Sequence, residues 1–561
     1  MTTRRPSPIL VVALAVASFL VPAATAIAGP AQFVIVNVNA PGVGFNDPTP
    51  VAPVGGNTGT TLGQQRLIAF EHAAAIWSAR LDSAVPIRIR AQFTPLGTNV
   101  LGSAGPVSVV RDFTNAPLAG TWYHVALANK LAGVDLLPAS DDINANFSTL
   151  FNFFLGLDGN HGALNDLVAV LLHEFAHGLG FSQNANLTTG VLLGGFPDHY
   201  NTRLFDTTLG LHWPDMTNAQ RAASATRFGR VVWDGNTVTA AVPTVLSLGS
   251  PNVTVASPVS IAGPYQFGTA AFGPPIGSPS VLANLVAAVD ALEGAANTTT
   301  DGCSPLSNAG AIAGQIALIE RGGCGFAVKA RSASAAGAAA VIIYNQAANA
   351  AAAPPGMAGD GINDAFVTVP TVSVTRADGL AMLAQLGGGV SVSIGVDLTI
   401  RAGADTLDRA RVYAPFPIVG GSSISHYDTV ASRNLLMEPA INPDLTHNVK
   451  APFDLTFELL HDVGWTFPDA DNDGVVDDED CNVNSDRRAT IVIGGINTGV
   501  PNAAFPSGCT ASDLISKLAA ASTNHGSFVS AVANLTNQWV ADHTYTGREK
   551  GAIQSAAARS K

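Results

Sequence analysis

The sequence predicts an α+β protein: a mixed sheet with one long apolar helix, interrupted by a second unit of α/β type and followed by a small helical module. Three observations predict it. Strand-like and helix-like patterns alternate over residues 33–179. Residues 245–400 change texture to Ala, Gly, Val and Pro with few charges. The length of 561 residues exceeds what one hydrophobic core supports. With 47% hydrophobic and 12% charged residues, packed domains are expected rather than disorder.

In chain order, Arg4 and Arg5 precede an apolar run and the small residues 23–28, a pattern that reads as a secretory signal over residues 1–28. The apolar run is shorter than the roughly 20 residues that span a bilayer, so a secreted, extracellular protein without a stable membrane anchor is expected. Residues 33–36 predict a strand. Residues 62–81 predict a helix with Leu67, Phe70, Ala74 and Trp77 on one side. Residues 85–93 alternate apolar and polar side chains, the mark of a half-buried strand. Residues 142–147 predict a further strand and residues 163–179 a strongly apolar helix. That order gives the α+β class. The formal net charge of −13 leaves no basic footprint for nucleic acid.

The helix at residues 163–179 carries His173-Glu174-Phe175-Ala176-His177. Residues four apart share a helical face, so two imidazoles can meet one cation with Glu174 alongside as a general base. Zinc suits that ligand set, and a catalytic zinc needs a third protein ligand. Downstream, Gly178-Leu179-Gly180-Phe181-Ser182-Gln183 resembles the metzincin metalloproteases, in which a Gly at the position of Gly180 turns the chain. Gln183 stands where a third His is expected. The next Glu is Glu293, inside the interrupting unit.

Farther on, Ser423-Ile424-Ser425-His426-Tyr427-Asp428 and Asn434-Leu435-Leu436-Met437-Glu438-Pro439 resemble the third-ligand and Met-turn region of leishmanolysin-like metzincins. The resemblance implies His426 as third zinc ligand and Met437 as the turn methionine. It extends through residues 454–465 and implies a metzincin-like catalytic domain. A gap of roughly 250 residues between His177 and His426 is tolerable, because closure cost grows only logarithmically with length.

The interrupting unit contains Cys303, the strand-like residues 314–320, Arg321-Gly322-Gly323-Cys324-Gly325-Phe326, an Ala-rich helix and the strand-like residues 340–345. These resemble the protease-associated (PA) domain, which implies a role beside the substrate cleft. The expected division is a signal at 1–28, a metalloprotease domain at 29–244, the inserted PA domain at 245–400, and the rest of the protease domain at 401–467. A calcium loop at 468–485 and an accessory module at 486–561 follow.

In the loop, Asp469, Asp471, Asp473, Val475, Asp477 and Asp480 occupy positions 1, 3, 5, 7, 9 and 12, with Gly474 at 6, the spacing of calcium loops. With Cys481 beyond it, the stretch resembles thrombospondin type 3 repeats. Four cysteines allow three pairings; Cys303 with Cys324 and Cys481 with Cys509 is the simplest.

Together these readings predict a secreted zinc endopeptidase acting on protein or peptide. Zinc-activated water would attack the peptide carbonyl, with Glu174 as base. The alternative is a calcium-dependent binding or adhesion protein on the same scaffold.

Overall fold

The alternation read near Arg88 comes from a strand with one face in the core: in β2 (Ile87–Thr94), Ile87, Ile89, Ala91 and Phe93 are buried while Arg88 and Arg90 are exposed. This is seen in a computed structural model that describes residues 29–292, 298–471, 475–477 and 479–560. The expected signal at 1–28, Glu293, Asp473 and Gly474 lie outside the described residues.

β2 pairs in parallel with β1 (Phe33–Asn37) and with β6 (Ile143–Ser148). On the far side of β6, β3 (Gly102–Pro106) pairs antiparallel and forms the sheet edge, giving the order β1-β2-β6-β3. A short ladder of β4 (Val109–Val110) and β5 (Tyr123–His124) leads into α2 (Val125–Ala132).

Two helices cover this sheet. α1 (Leu62–Ser78) starts at a capping box of Thr61 and Gln64 and buries Phe70 and Trp77. It ends before residue 81 because the Arg80 and Leu81 amides both close onto the Trp77 carbonyl, forming a tight turn. α3 (Leu167–Leu179) starts later than the apolar pattern suggests. Asn165–Asp166 is taken up as β8, paired with β7 (Phe153–Phe154), and the Asp166 carboxylate caps the helix by accepting from Val168 N at 2.9 Å. Every residue of α3 is buried. Gly178 permits this, since a Cβ there would lie 2.5 Å from an Ile143 methyl of β6.

Residues 248–401 supply all strands of a separate eight-stranded sheet. Its centre is parallel: Val281–Ala287, Ile316–Glu320, Ala340–Tyr344 and Thr371–Val374. The strands Leu248–Ser257 and Ser391–Arg401 pair antiparallel with Leu248 opposite Arg401, so the chain leaves and re-enters the first part at one place. After that return, Met437, Leu459 and Trp465 join the same apolar core as Phe70 and Phe175.

The C-terminal part is more than helical. A two-stranded hairpin, Thr490–Ile493 with Ile496–Pro501, turns on Gly494 and Gly495, both at positive φ. It packs with helices Ala511–Ala521, His525–Ala541 and Gly547–Arg559 around their own core. The last helix escaped the sequence reading because only Ile553, Ala556 and Ala557 carry its buried face. Cys303–Cys324 and Cys481–Cys509 are disulfide-bonded. Among the described residues, no helix is long and apolar enough to cross a membrane.

Candidate metal centre

α3 places His173 and His177 one turn apart, and the return segment brings His426 onto them. His173 Nε2 lies 3.2 Å from His177 Nε2 and 3.2 Å from His426 Nε2. Tetrahedral zinc with Zn–N bonds of about 2.0–2.1 Å separates its nitrogens by roughly 3.3 Å, so the spacing fits one shared cation. Among the described residues, these three form the one cluster of at least three His, Cys, Asp or Glu side chains close enough to hold a metal.

The other ring nitrogen of each histidine is held by a backbone carbonyl: His173 Nδ1 by Leu436 at 2.7 Å, His177 Nδ1 by Phe181 at 2.7 Å, and His426 Nδ1 by Ser422 at 2.8 Å. Donation from Nδ1 leaves Nε2 as a bare lone pair aimed at the centre. Burial pushes His173 down to about 4 and His177 down to about 3, and it holds His426 well below the ordinary histidine range. The imidazoles are therefore neutral at physiological pH, the form that ligates a metal.

Glu174 is buried beside them. Burial pushes its carboxyl up to about 8, held back by a hydrogen bond from the Ala104 backbone of β3. Gly102 on the same strand makes room, since a Cβ there would sit 3.1 Å from both Cγ and Oε1 of Glu174. The cleft of about 490 Å³ over these groups is walled by residues of β3, α3 and the segments near Gly421 and Ile441.

The surroundings lock the return segment. Leu436 N donates to Asp454 Oδ2 at 2.6 Å, and Leu435 N to Glu438 Oε1 at 2.8 Å. Met437 is fully buried, and its carbonyl accepts from Tyr427 N at 2.8 Å. Tyr427 packs edge-on against Phe181 at 5.0 Å and donates its hydroxyl to the Leu455 carbonyl, so it is a packing residue. Gly180 ends α3 at φ 141°, and its carbonyl accepts from His199. Gln183 stays out of the cluster: its amide oxygen accepts from Ala185 N, and its backbone N–H donates to Ser425 Oγ, next to His426.

Gly102, Ala104, Leu436 and Asp454 are the site residues that sequence reasoning missed. Two of them act through backbone groups, which no side-chain pattern records.

In the acidic loop the carboxylates serve as turn acceptors. Asp477 accepts from Ala470 N at 2.7 Å, Asp471 from Ser485 N at 2.7 Å and Asp480 from Asn482 N at 2.9 Å. With Asp469 and Val475, they form no further metal-sized cluster among the described residues.

Comparison with known proteins places part of the chain. An aminopeptidase of Pseudomonas aeruginosa (strain UCBPP-PA14) is 52% identical over 61 residues, 11% of either chain. The ER degradation-enhancing alpha-mannosidase-like protein 3 of Homo sapiens is 38% identical over 92 residues, 16% of this chain and 10% of that one. The chain thus spans about a tenth of the length of the curated relatives it matches. Among solved structures, a zinc aminopeptidase from Bacillus subtilis is 24% identical at a TM-score of 0.20, covering 27% of this chain and 31% of that one. Residues 281–382 match the PA domain family, and this segment of the chain is a PA domain.

Proposed function

We propose that this chain is a zinc-dependent peptidase that cleaves within extended peptides, with His173, His177 and His426 as ligands and Glu174 as general base. The observation that carries it is the convergence of three neutral, backbone-oriented imidazoles beside a buried carboxyl. The aminopeptidase relatives support the peptidase class.

Zinc, when bound there, lowers the pKa of water to about 7 and polarises a peptide carbonyl. The histidines stay neutral and fixed by their carbonyl partners. Glu174 takes the water proton at its carboxylate and delivers it to the departing amine. A cation alongside favours the carboxylate form, bringing a group raised by burial toward the neutral range suited to a base.

Two features favour internal cleavage. β3 is a sheet edge on the cleft wall, and an edge can add an extended peptide as a further strand. Glu174 is the only carboxylate among the described residues lining that cleft, so no second acid is on hand to fix a free amino terminus.

Within the peptidases we read the chain as a leishmanolysin-like metzincin. Gly180 at the helix end and the buried Met437 beside the His426 segment support this. Export is read from the pattern at 1–28 and from the two disulfides. Structural calcium is read from the spacing at 469–480.

The test combines zinc analysis with digestion of a disordered protein and of an aminoacyl p-nitroanilide, with and without a chelator. Internal cleavage that needs metal is expected. Glu174→Ala should keep zinc and lose activity by about 10²-fold or more, whereas His426→Ala should lose zinc. Internal cleavage that survives chelation would refute the proposal. Release of amino-terminal residues alone would favour an aminopeptidase, and the absence of both zinc and cleavage would favour the adhesion reading.

A further inference from the structure

A larger cleft lies away from the histidines. It follows the seam where the eight-stranded sheet meets the histidine-bearing part and has a volume of about 690 Å³, room for a short peptide stretch rather than a lone ion. Arg230 and Arg411 line it from the histidine-bearing side. The backbone brings them together: Arg230 directly precedes the strand Val231–Trp233, and Arg411 bridges to Val232 of that strand. Burial disfavours the Arg230 charge most, Asp206 offsets part of that, and Arg411 is close enough to disfavour it further.

Among the described residues, neither guanidinium makes a hydrogen bond or an ion pair, and Arg411 Nε is buried without a partner. Three neighbouring acids are committed elsewhere. Asp206 is held by Arg227 at 2.6 Å, and Asp405 by Arg409 at 2.8 Å and 2.9 Å. Asp397 accepts from the amide and hydroxyl of Thr399. Asp428, buried near Arg411, feels its charge but forms no ion pair with it; its Oδ1 accepts from Val430 N and its Oδ2 has no partner. Asp206 and Asp428 act on these guanidiniums only at longer range, and two cations held together with no ion pair of their own are costly. An anionic group in the cleft supplies a counter-charge to both arginines, and the apolar wall at Phe228 and Phe267 gives flanking side chains a surface.

We propose that this seam docks a carboxylate-bearing stretch of a peptide, with its carboxylate on Arg230 and Arg411. The site is separate from the histidine cleft, and its occupancy is read by binding, independently of whether the chain cleaves peptides.

The probe is a fluorescein-labelled, N-acetylated octapeptide amide with two adjacent Glu residues. Anisotropy is measured against the full chain carrying Glu174→Ala, so that the probe stays intact. The same peptide with Gln in place of Glu is the comparison. Binding about ten-fold tighter for the Glu peptide is expected, and that preference should disappear in Arg230→Gln and Arg411→Gln. If Arg411→Gln does not fold, Arg230→Gln carries the test. Equal affinity for the two peptides, or an Arg230→Gln protein that keeps the preference, overturns the proposal. Stabilisation by inorganic phosphate without peptide binding would also overturn it, since the seam would then be a simple ion site.

Discussion

His173 Nδ1 donates to the Leu436 carbonyl at 2.7 Å across 263 residues of chain, and the N–H of the same Leu436 donates to Asp454. One residue, through its two flanking peptide groups, therefore connects a proposed zinc ligand to a buried carboxylate outside the histidine cluster. The Oδ1 of Asp454 is occupied by the amide and hydroxyl of Thr456, at the start of the helix Thr456–Val463.

Asp454→Ala frees the Leu436 peptide and orphans its N–H. We expect zinc affinity to fall about 10–100-fold, the range for lost outer-shell support. Metal-buffered titration of the folded variant checks it. Unchanged affinity would mean that the His173 orientation does not depend on this link.

Gly102→Ala adds a Cβ at 3.1 Å from Glu174 and from Phe147, tighter than ordinary contact. The carboxylate must shift by a few tenths of an ångström. We expect kcat/KM to fall roughly ten-fold with zinc content unchanged, since a displaced base loses alignment. Gly105→Ala, on the same strand with nothing within 4 Å of its Cβ, is the control and should act like the parent. Equal effects of the two substitutions would point to strand propensity instead.

Glu458→Gln concerns stability. Its Oε1 accepts from Ala451 N at 2.9 Å, its Oε2 is buried without a partner, and burial pushes the carboxyl up to about 7. The unfolded chain releases this proton near pH 4.3 while the folded chain keeps it to about 7, so the group's stabilising contribution is present at low pH and is lost as pH rises through 7. Between pH 5.5 and 8 the loss is on the order of 2 kcal/mol. The Gln variant does not titrate and should show a flatter dependence of Tm on pH with zinc held saturating. Profiles of identical slope would exclude Glu458 as a source. Glu438, also pushed up to about 7, contributes in the same direction and remains in both proteins.

Periodicity was enough for β2 and for most of α1, because a half-buried strand and an amphipathic helix write their faces into the local order of side chains. It failed for β3. Gly102-Ser103-Ala104-Gly105-Pro106 has little strand propensity and is extended because β6 offers it a partner and α3 covers it. That same small-residue strand leaves the space that Glu174 occupies.

What the sequence determined by itself was local. His173, Glu174 and His177 share a helical face by spacing alone, and the PA segment carries its pattern within about a hundred residues, whereas the cysteine pairing was only narrowed to a simplest choice of three. The tertiary structure decided everything that joins distant segments: the approach of His426 Nε2 to His173, the Leu436 carbonyl behind it, and the pairing of Arg230 with Arg411 at the seam. These relationships arise where separate elements pack and bury each other's polar groups, and contacts of that kind leave no periodic trace along the chain.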